Sequence, residues 1–379
     1  MSDGTTAVPV EQEDALETQE YTLNLGPQHP STHGVYRARL RLNGETIVSC
    51  ESIIGYLHRG MEKLAESRTY AQFAPYTSRF DYLAGALNSW GYALAMEKLG
   101  GVEVPERAEY LRLIVGELQR IASHLVMVSS MVIDLNAVTA WMYAFTAREG
   151  ILDLLEEVTG SRMNLNYIVA GGVVEDLPEG FTARAEKTLD ELKSRLDDFD
   201  RLVSGNEIFL GRTRGIGVIG RELALEYGMT GPNLRASGER LDLRKDAPYG
   251  VYPRFDFEVP LLSGGDSFDR YYIRMLEIGE SVKLVRQALG AAPAGSVRTK
   301  LPRVWKPAPG EAYAQCESAR GIQGYHLVSD GSVKPYRMHL CSPSFVNIGV
   351  LPVISPGLTI QDFVSTLASM DIVLGEIDR

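Results

Sequence analysis

Cysteine is almost absent from this 379-residue chain, and its three copies, Cys50, Cys316 and Cys341, stand far apart. Thiols so spaced make neither a disulfide framework nor a Cys-x-x-Cys metal clip, and three buried thiols are the plain expectation. No apolar run reaches the roughly 18 residues that a membrane-spanning helix needs. The N-terminus, MSDGTTAVPVEQEDALETQE, lacks the basic start and apolar centre of a secretory leader, so a cytosolic location is expected. Basic residues number 38 against 49 acidic ones, and the formal charge of −11 disfavours a general nucleic-acid binder. Also missing are the G-x-S-x-G nucleophile turn, the P-loop and H-E-x-x-H, so the standard hydrolase and nucleotidase readings lose support.

What is present is a hydrophobic content of 45%, enough for a substantial core. The most informative stretch is Gly26-Pro27-Gln28-His29-Pro30-Ser31-Thr32-His33-Gly34. Its prolines fix φ and forbid a regular helix, its glycines allow unusual backbone angles, and Ser31 and Thr32 can bond back to the main chain. Two imidazoles on so stiff a turn point either to a site or to a capped surface turn. His29 and His33 are four residues apart, a metal-ligand spacing only on a shared helix face, which Pro30 opposes.

Residues 1–20 carry six carboxylates and no Lys or Arg, and they are expected to form a disordered acidic tail. From Val35 the chain alternates, with Tyr36, Ala38, Leu40 and Leu42 on one face and Arg37, Arg39 and Arg41 on the other. Asn43-Gly44 then turns it into a second strand ending near Ile54. Helical periodicity and end signals predict helices over about 78–99, 105–133, 143–158, 182–203 and 267–289, an antiparallel bundle. Past Pro307 strands return, with a hairpin signal at Ser329-Asp330-Gly331-Ser332. The expected fold class is α+β, mainly α. Its segments are the tail (1–20), an N-terminal hairpin region with the histidine loop (21–75), a helical bundle (76–290) and a C-terminal α/β region (291–379).

Two features invite a sharper reading. Gly215-Ile216-Gly217-Val218-Ile219-Gly220 is a literal G-x-G-x-x-G, but a loop follows it where a dinucleotide fold needs a second strand, so a packing turn is expected. His124 lies inside an apolar helix, where a satisfied core histidine is commoner than a ligand.

A collinear series of segments then resembles one family. The segments are GPQHPSTHG (26–34), IGYLHRGMEKLAE (54–66), DYLAGALN (81–88), ELQRIASHL (117–125), NYIVAGGVVEDLP (166–178), LRASG (234–238), ESARG (317–321), PSFVN (343–347) and GEIDR (375–379). They resemble the D-subunit family of proton-pumping NADH:quinone oxidoreductase, respiratory complex I. The resemblance implies a scaffold like the nickel–iron hydrogenase large subunit. The positions implied for its metal-binding cysteines, around 56–61 and 370–376, hold none here, and without thiolates that centre cannot be held. A quinone pocket is implied in its place.

The resemblance further implies that His33 and Tyr82 hydrogen-bond the quinone headgroup, with His29 supporting the loop and Asp134 pairing with His33. No metal or flavin is expected on this chain, and electrons would come from an iron–sulfur cluster in a neighbouring subunit. The implied partners are the C subunit, the B subunit carrying the terminal cluster, the I subunit and the membrane H subunit. The implied location is the cytoplasmic side of a bacterial membrane, peripherally bound. Departures from the family pattern stand at Asp371-Ile372-Val373-Leu374-Gly375 and at Asn136-Ala137-Val138-Thr139-Ala140-Trp141-Met142, which leaves the quinone type and the electron donor open. Two alternatives stay open. One is a non-catalytic scaffold subunit of a related ferredoxin- or deazaflavin-dependent membrane oxidoreductase; the other is a soluble dehydrogenase using the glycine run.

Overall fold

A computed structural model of the protein describes residues 20–32 and 34–379; residues 1–19 of the expected acidic tail, and His33 of the histidine loop, lie outside the described residues. The tail expectation fails at its last residue, because Glu20 opens a strand. Strands β1 (Glu20–Leu25), β2 (Arg37–Asn43) and β3 (Thr46–Ile53) form an antiparallel meander in that order. Tyr36, Ala38, Leu40 and Leu42 are all buried, and the arginines between them face outward, as the alternation requires. Strand β1 pairs Leu23 with Leu40 and Leu25 with Ala38. Its own short alternation, Leu23 then Leu25, was the signal for it.

Short helices α1 (Met61–Ser67) and α2 (Tyr70–Thr77) follow, the second opened by a Thr69/Gln72 capping box. Helix α3 (Gly85–Gly100) starts seven residues later than the periodicity predicts. The Asp81 carboxylate accepts the backbone N–H of Leu83 (3.0 Å) and of Ala84 (3.1 Å), holding residues 81–84 as a turn.

Helix α4 (Glu106–Asp134) is the axis of the molecule, flanked by α5 (Val138–Thr159), α11 (Ser267–Ala291) and α3. Its Leu111, Ile114, Leu118, Ile121 and Leu125 are fully buried. Each such side chain contributes about 1.5 to 3 kcal/mol of transfer free energy. Helix α5 begins earlier than expected because Asn136 adopts a left-handed φ of 66° and lets Ala137 N–H reach back to Val132 O (2.9 Å).

The two-residue strands β4 (Ile168–Val169) and β5 (Gly172–Val173) lead to α6 (Phe181–Val203), which packs on α5. Short helices α7 (Glu207–Thr213), α8 (Arg221–Glu226), α9 (Gly231–Ala236) and α10 (Leu243–Asp246) precede α11. The glycine run 215–220 is an irregular connection between α7 and α8, tied to α11's entry by Ile219 N–H donating to Gly265 O (2.9 Å). Every sheet among the described residues is antiparallel, so the run belongs to no βαβ unit.

Strands β6 (Gly310–Ser318), β7 (Gly321–Ser329) and β8 (Arg337–Cys341) make the C-terminal sheet, with β6 and β7 packed on α3. Helices α12 (Pro343–Ile348), α13 (Leu351–Ile354), α14 (Ile360–Met370) and α15 (Leu374–Asp378) finish the chain. Cys50 and Cys316 are buried, whereas Cys341, expected to be so, is half-exposed on β8.

At one point two loops approach too closely for any side chain. Gly231, at φ +70°, lies against the β6–β7 turn, and a Cβ there would stand 2.5 Å from Arg320 O and collide with the backbone of Gly321. Replacing it by alanine combines left-handed strain with a backbone clash. Gly231→Ala is therefore expected to lose about 2 to 4 kcal/mol of stability, read as a lowered midpoint in denaturant unfolding of the purified protein.

Candidate functional site

Tyr82 sits on the turn that precedes α3, and the carboxylate beside it clamps that turn. Asp81 is fully buried; its Oδ1 takes the two backbone N–H groups already described, and its Oδ2 accepts a hydrogen bond from Arg320 Nη1 (2.6 Å). Arg320 stands between β6 and β7, also buried. It donates from Nη1 to Ser123 Oγ on α4 (2.9 Å), from Nη2 to Asp371 Oδ1 (2.9 Å) and from Nε to Asp371 O (3.1 Å). Asp371 ends α14 in a left-handed conformation (φ 53°) and has a second cation, Arg274 of α11, at 3.4 Å.

The C-terminal helix closes this group. A Cβ at Gly375 would stand 2.5 Å from Phe80 O, so α15 lies directly against the backbone one residue before Asp81. Arg59 Nη2 donates to Gly375 O (3.1 Å) and Arg79 O (3.0 Å). Asp378 accepts from Gly55 N–H (2.8 Å) and Leu57 N–H (2.6 Å), and its own carbonyl lies 2.6 Å from His58 Nδ1. The two stretches where a hydrogenase-type scaffold would carry cysteines are thus stitched together, and carboxylates, arginines and amides do the stitching.

The histidine loop reaches the same helix from another side. A side chain added at Gly34 would lie 3.5 Å from Leu374 Cδ2, and a short 3-10 turn, Pro30–Thr32, packs on α14. Within the loop, Ser31 N–H donates to His29 Nδ1 (3.2 Å) and Thr32 Oγ1–H to His29 O (2.8 Å), so His29 serves the loop's own bonding. His33, between Thr32 and Gly34, is outside the described residues. Asp134, at the end of α4, shares a cleft of about 410 Å³ with Ser31 of this loop, Leu135, Asn136, Arg212 and Gln361. Asp134 and the loop therefore meet at one cleft, while among the described residues Leu374 and Gly375 of α15 lie between the loop's end at Gly34 and the backbone just before the Tyr82 turn.

Electrostatics distinguish the acids. Burial, with Asp81 next in weight, raises the Tyr82 phenol above its ordinary pKa. Glu376 of α15 is pushed up to about 8, first by burial and then by Asp81, against the opposing Ser344 hydroxyl, the charge of Arg320 and, last, the hydrogen bond from Ser344 N–H (3.0 Å).

A second buried group of charges lies along α4. Burial works to raise the Glu117 carboxylate, but Arg120 (3.2 Å) and Arg244 (3.3 Å) outweigh it and hold it below the usual range, with Tyr252 and Ser281 hydroxyls donating at 2.6 Å. Arg235 pairs with Glu277 and Glu317, both at 2.8 Å, and His124 Nε2 lies 3.0 Å from Glu277. His124 is thus a core residue of an ionic network.

Sequence reasoning missed Asp81, Arg320, Asp371 and Glu376 as parts of the site. Asp81 carried a usable signal, a lone charge in the otherwise apolar DYLAGALN, whereas Arg320 and Glu376 stand in the charged stretches ESARG and GEIDR, where nothing announces burial.

Fold and site together define a mainly α, α+β subunit whose interior is organised by ion pairs. Among the described residues, no group of three or more His, Cys, Asp or Glu is placed to hold a metal ion, and no helix is long and apolar enough to cross a membrane. Residues 134–309 and 303–379 match the family described as the respiratory-chain NADH dehydrogenase, 49 Kd subunit. The D subunit of the NADH-quinone oxidoreductase of Clostridium beijerinckii is 57% identical over 98% of this chain and all of its own length. The D subunits from Carboxydothermus hydrogenoformans (53%, covering 96% of this chain and 100% of the relative) and Syntrophobacter fumaroxidans (50%, 95% and 97%) are similar throughout. The chain belongs to this complex I subunit family, whose fold is that of the nickel–iron hydrogenase large subunit. It works as one part of an oxidoreductase whose activity requires the whole complex, with other complex I subunits as its partners.

The Asp81–Arg320 pair lends itself to a stability test. Removing one partner leaves a buried charge under-compensated, a loss of about 3 to 5 kcal/mol. Asp81→Ala is expected to show it in denaturant unfolding, and Asp81→Asn to lose less, because the amide oxygen still accepts from the turn's N–H groups.

Proposed function

We propose that this chain supplies the quinone site of its complex, binding the headgroup and delivering protons as electrons arrive from an iron–sulfur cluster in a neighbouring subunit. The reduction takes up two electrons and two protons, and the chain offers proton donors for it. Tyr82 contributes a phenol and His33 an imidazole, of ordinary pKa about 10 and 6.5, both able to donate to a carbonyl oxygen as negative charge develops there. Asp134 acts on His33, favouring the imidazolium and fixing the ring. His29 supports the loop.

The observation that carries the reading is the packing on Leu374–Gly375 of both the backbone just before the Tyr82 turn and the end of the histidine loop. Asp134 supports it by sharing a cleft with that loop. In this reading the neighbours are the C, B, I and membrane H subunits, the chain sits peripherally on the cytoplasmic face, and quinol formation is coupled to proton translocation in the membrane arm. The scaffold alternative keeps the same packing without any chemistry at Tyr82.

Tyr82→Phe keeps the ring and removes the hydroxyl, so assembly and electron input to the clusters should persist while quinone reduction falls. One directed hydrogen bond to developing charge is worth about 2.7 to 4 kcal/mol, on the order of a hundred- to thousandfold in rate. Asp134→Asn should act through His33 and change the pH dependence more than the maximum rate. Turnover of the intact complex with short-chain quinones across pH, with cluster reduction as control, checks both. Wild-type turnover in both variants would favour the scaffold.

A further inference from the structure

The cluster behind Tyr82 contains one carboxyl more than it has cations. Asp81 and Asp371 each bond Arg320 directly, and Arg274 adds a second guanidinium beside Asp371. Two carboxylates and two guanidiniums are thereby matched. The third carboxyl, Glu376, is fully buried, accepts one amide N–H from Ser344 at Oε1, and its Oε2 is buried with no hydrogen-bond partner among the described residues. An unpaired charge in such a place is costly, whereas a protonated carboxyl there is neutral. The other ionisable groups facing Glu376 do not change this balance. They are Tyr82 on the turn before α3 and Tyr325 on β7, both raised by burial first and with Glu376 as a smaller contribution. Arg59 donates to backbone carbonyls and keeps its charge, and the buried Asp378 acts on it from α15, so these two add one charge of each sign. Helix α12, which packs on α15, brings no ionisable side chain.

We propose that Glu376 is a positioning residue that holds a proton behind Tyr82, and that losing this proton adds a negative charge to the cluster and slows proton delivery from the phenol. The inference rests on the quinone-site reading above. Ionisation of Glu376 makes the Tyr82 phenol a weaker acid and opposes negative charge on a neighbouring quinone oxygen, because like charges in a low-dielectric interior repel strongly. Quinone reduction therefore has an alkaline limb near pH 8 that belongs to this carboxyl.

The test is the pH profile of quinone reduction by the intact complex carrying Glu376→Gln, a neutral side chain of the same shape. A single ionisation near pH 8 leaves about one tenth of the active form at pH 9, so the ratio of turnover at pH 9 to that at pH 7 should rise about tenfold in the variant. An unchanged limb overturns the proposal, provided that electron input to the clusters is constant over the same range. A collapse of turnover at pH 7 also overturns it, since that would make Glu376 an obligatory donor instead. Should Glu376→Gln fail to assemble, Asp81→Asn replaces it: losing the Asp81 charge favours the ionised Glu376 and moves the limb to lower pH, and a stationary limb counts against the proposal. Tyr82→Phe run in parallel separates the two readings. If it and Asp134→Asn both leave quinone reduction intact, the quinone-site reading fails; if Tyr82→Phe impairs reduction while Glu376→Gln keeps the limb, only the Glu376 inference fails.

A second readout does not depend on turnover. The folded pKa of Glu376 is raised, so its contribution to stability is complete below its ordinary value of 4.5 and is lost as pH rises through about 8. In Glu376→Gln the fall in unfolding midpoint over that window should be smaller than in the wild type, and an identical fall would contradict a buried, proton-holding Glu376.

Discussion

The structure depends on where the Arg320 guanidinium sits. It is one planar cation, out of water, with partners from three separate parts of the chain: Asp81 before α3, Ser123 on α4 and Asp371 at the end of α14. Each bond fixes a direction as well as a distance, so the fork geometry of arginine sets how these elements meet. Desolvating such an ion costs free energy that its bonds must offset, and the gain is a single arrangement of the parts. The close approach of Gly231 to the β6–β7 turn serves the same end from outside, pressing the backbone of Arg320 into place.

Around this clamp the interior is ionic to a degree unusual for a helical core. Arg120, Arg235 and Arg244 face Glu117, Asp242, Glu277 and Glu317, all buried, and His124 bonds the same carboxylate that Arg235 does. Helices α4 and α11 each contribute to this group, and α11 also supplies Arg274 to the Arg320 cluster. A shift of α11 would therefore disturb both clusters at once. Apolar packing along α4 supplies the bulk of the stabilisation, and the ion pairs decide which register of helices is compatible with every charge having a partner.

For a protein that takes part in electron transfer, such rigidity has a use. A proton donor acts on a substrate only when its oxygen is held near hydrogen-bond distance, and side chains on a clamped turn keep that position without reorganising. Tyr82 stands on such a turn. The charge state of the surrounding acids then becomes a variable of the site, because in a low-dielectric interior one added charge changes the acidity of every neighbour.

Much of the architecture was legible from local patterns. The alternation from Tyr36 to Leu42, the long apolar stripe of α4 and the hairpin at Ser329–Ser332 depend on residues close in sequence, and all three formed where the periodicity put them. The failures are also local in origin. Helix α3 begins late because the Asp81 carboxylate competes for the N–H groups of a first turn, and β1 was hidden beside an acidic tail. The resemblance singled out Tyr82 and Asp134, but no spacing in the chain announces that Asp81 meets Arg320 across 239 residues or that Gly55 binds Asp378 across 323. By itself the sequence determined most of the elements and the family, and the resemblance named the candidate donors. Only the tertiary structure decided which charges were matched, because pairing is set by distance in space, and that left Glu376 buried with no salt bridge among the described residues.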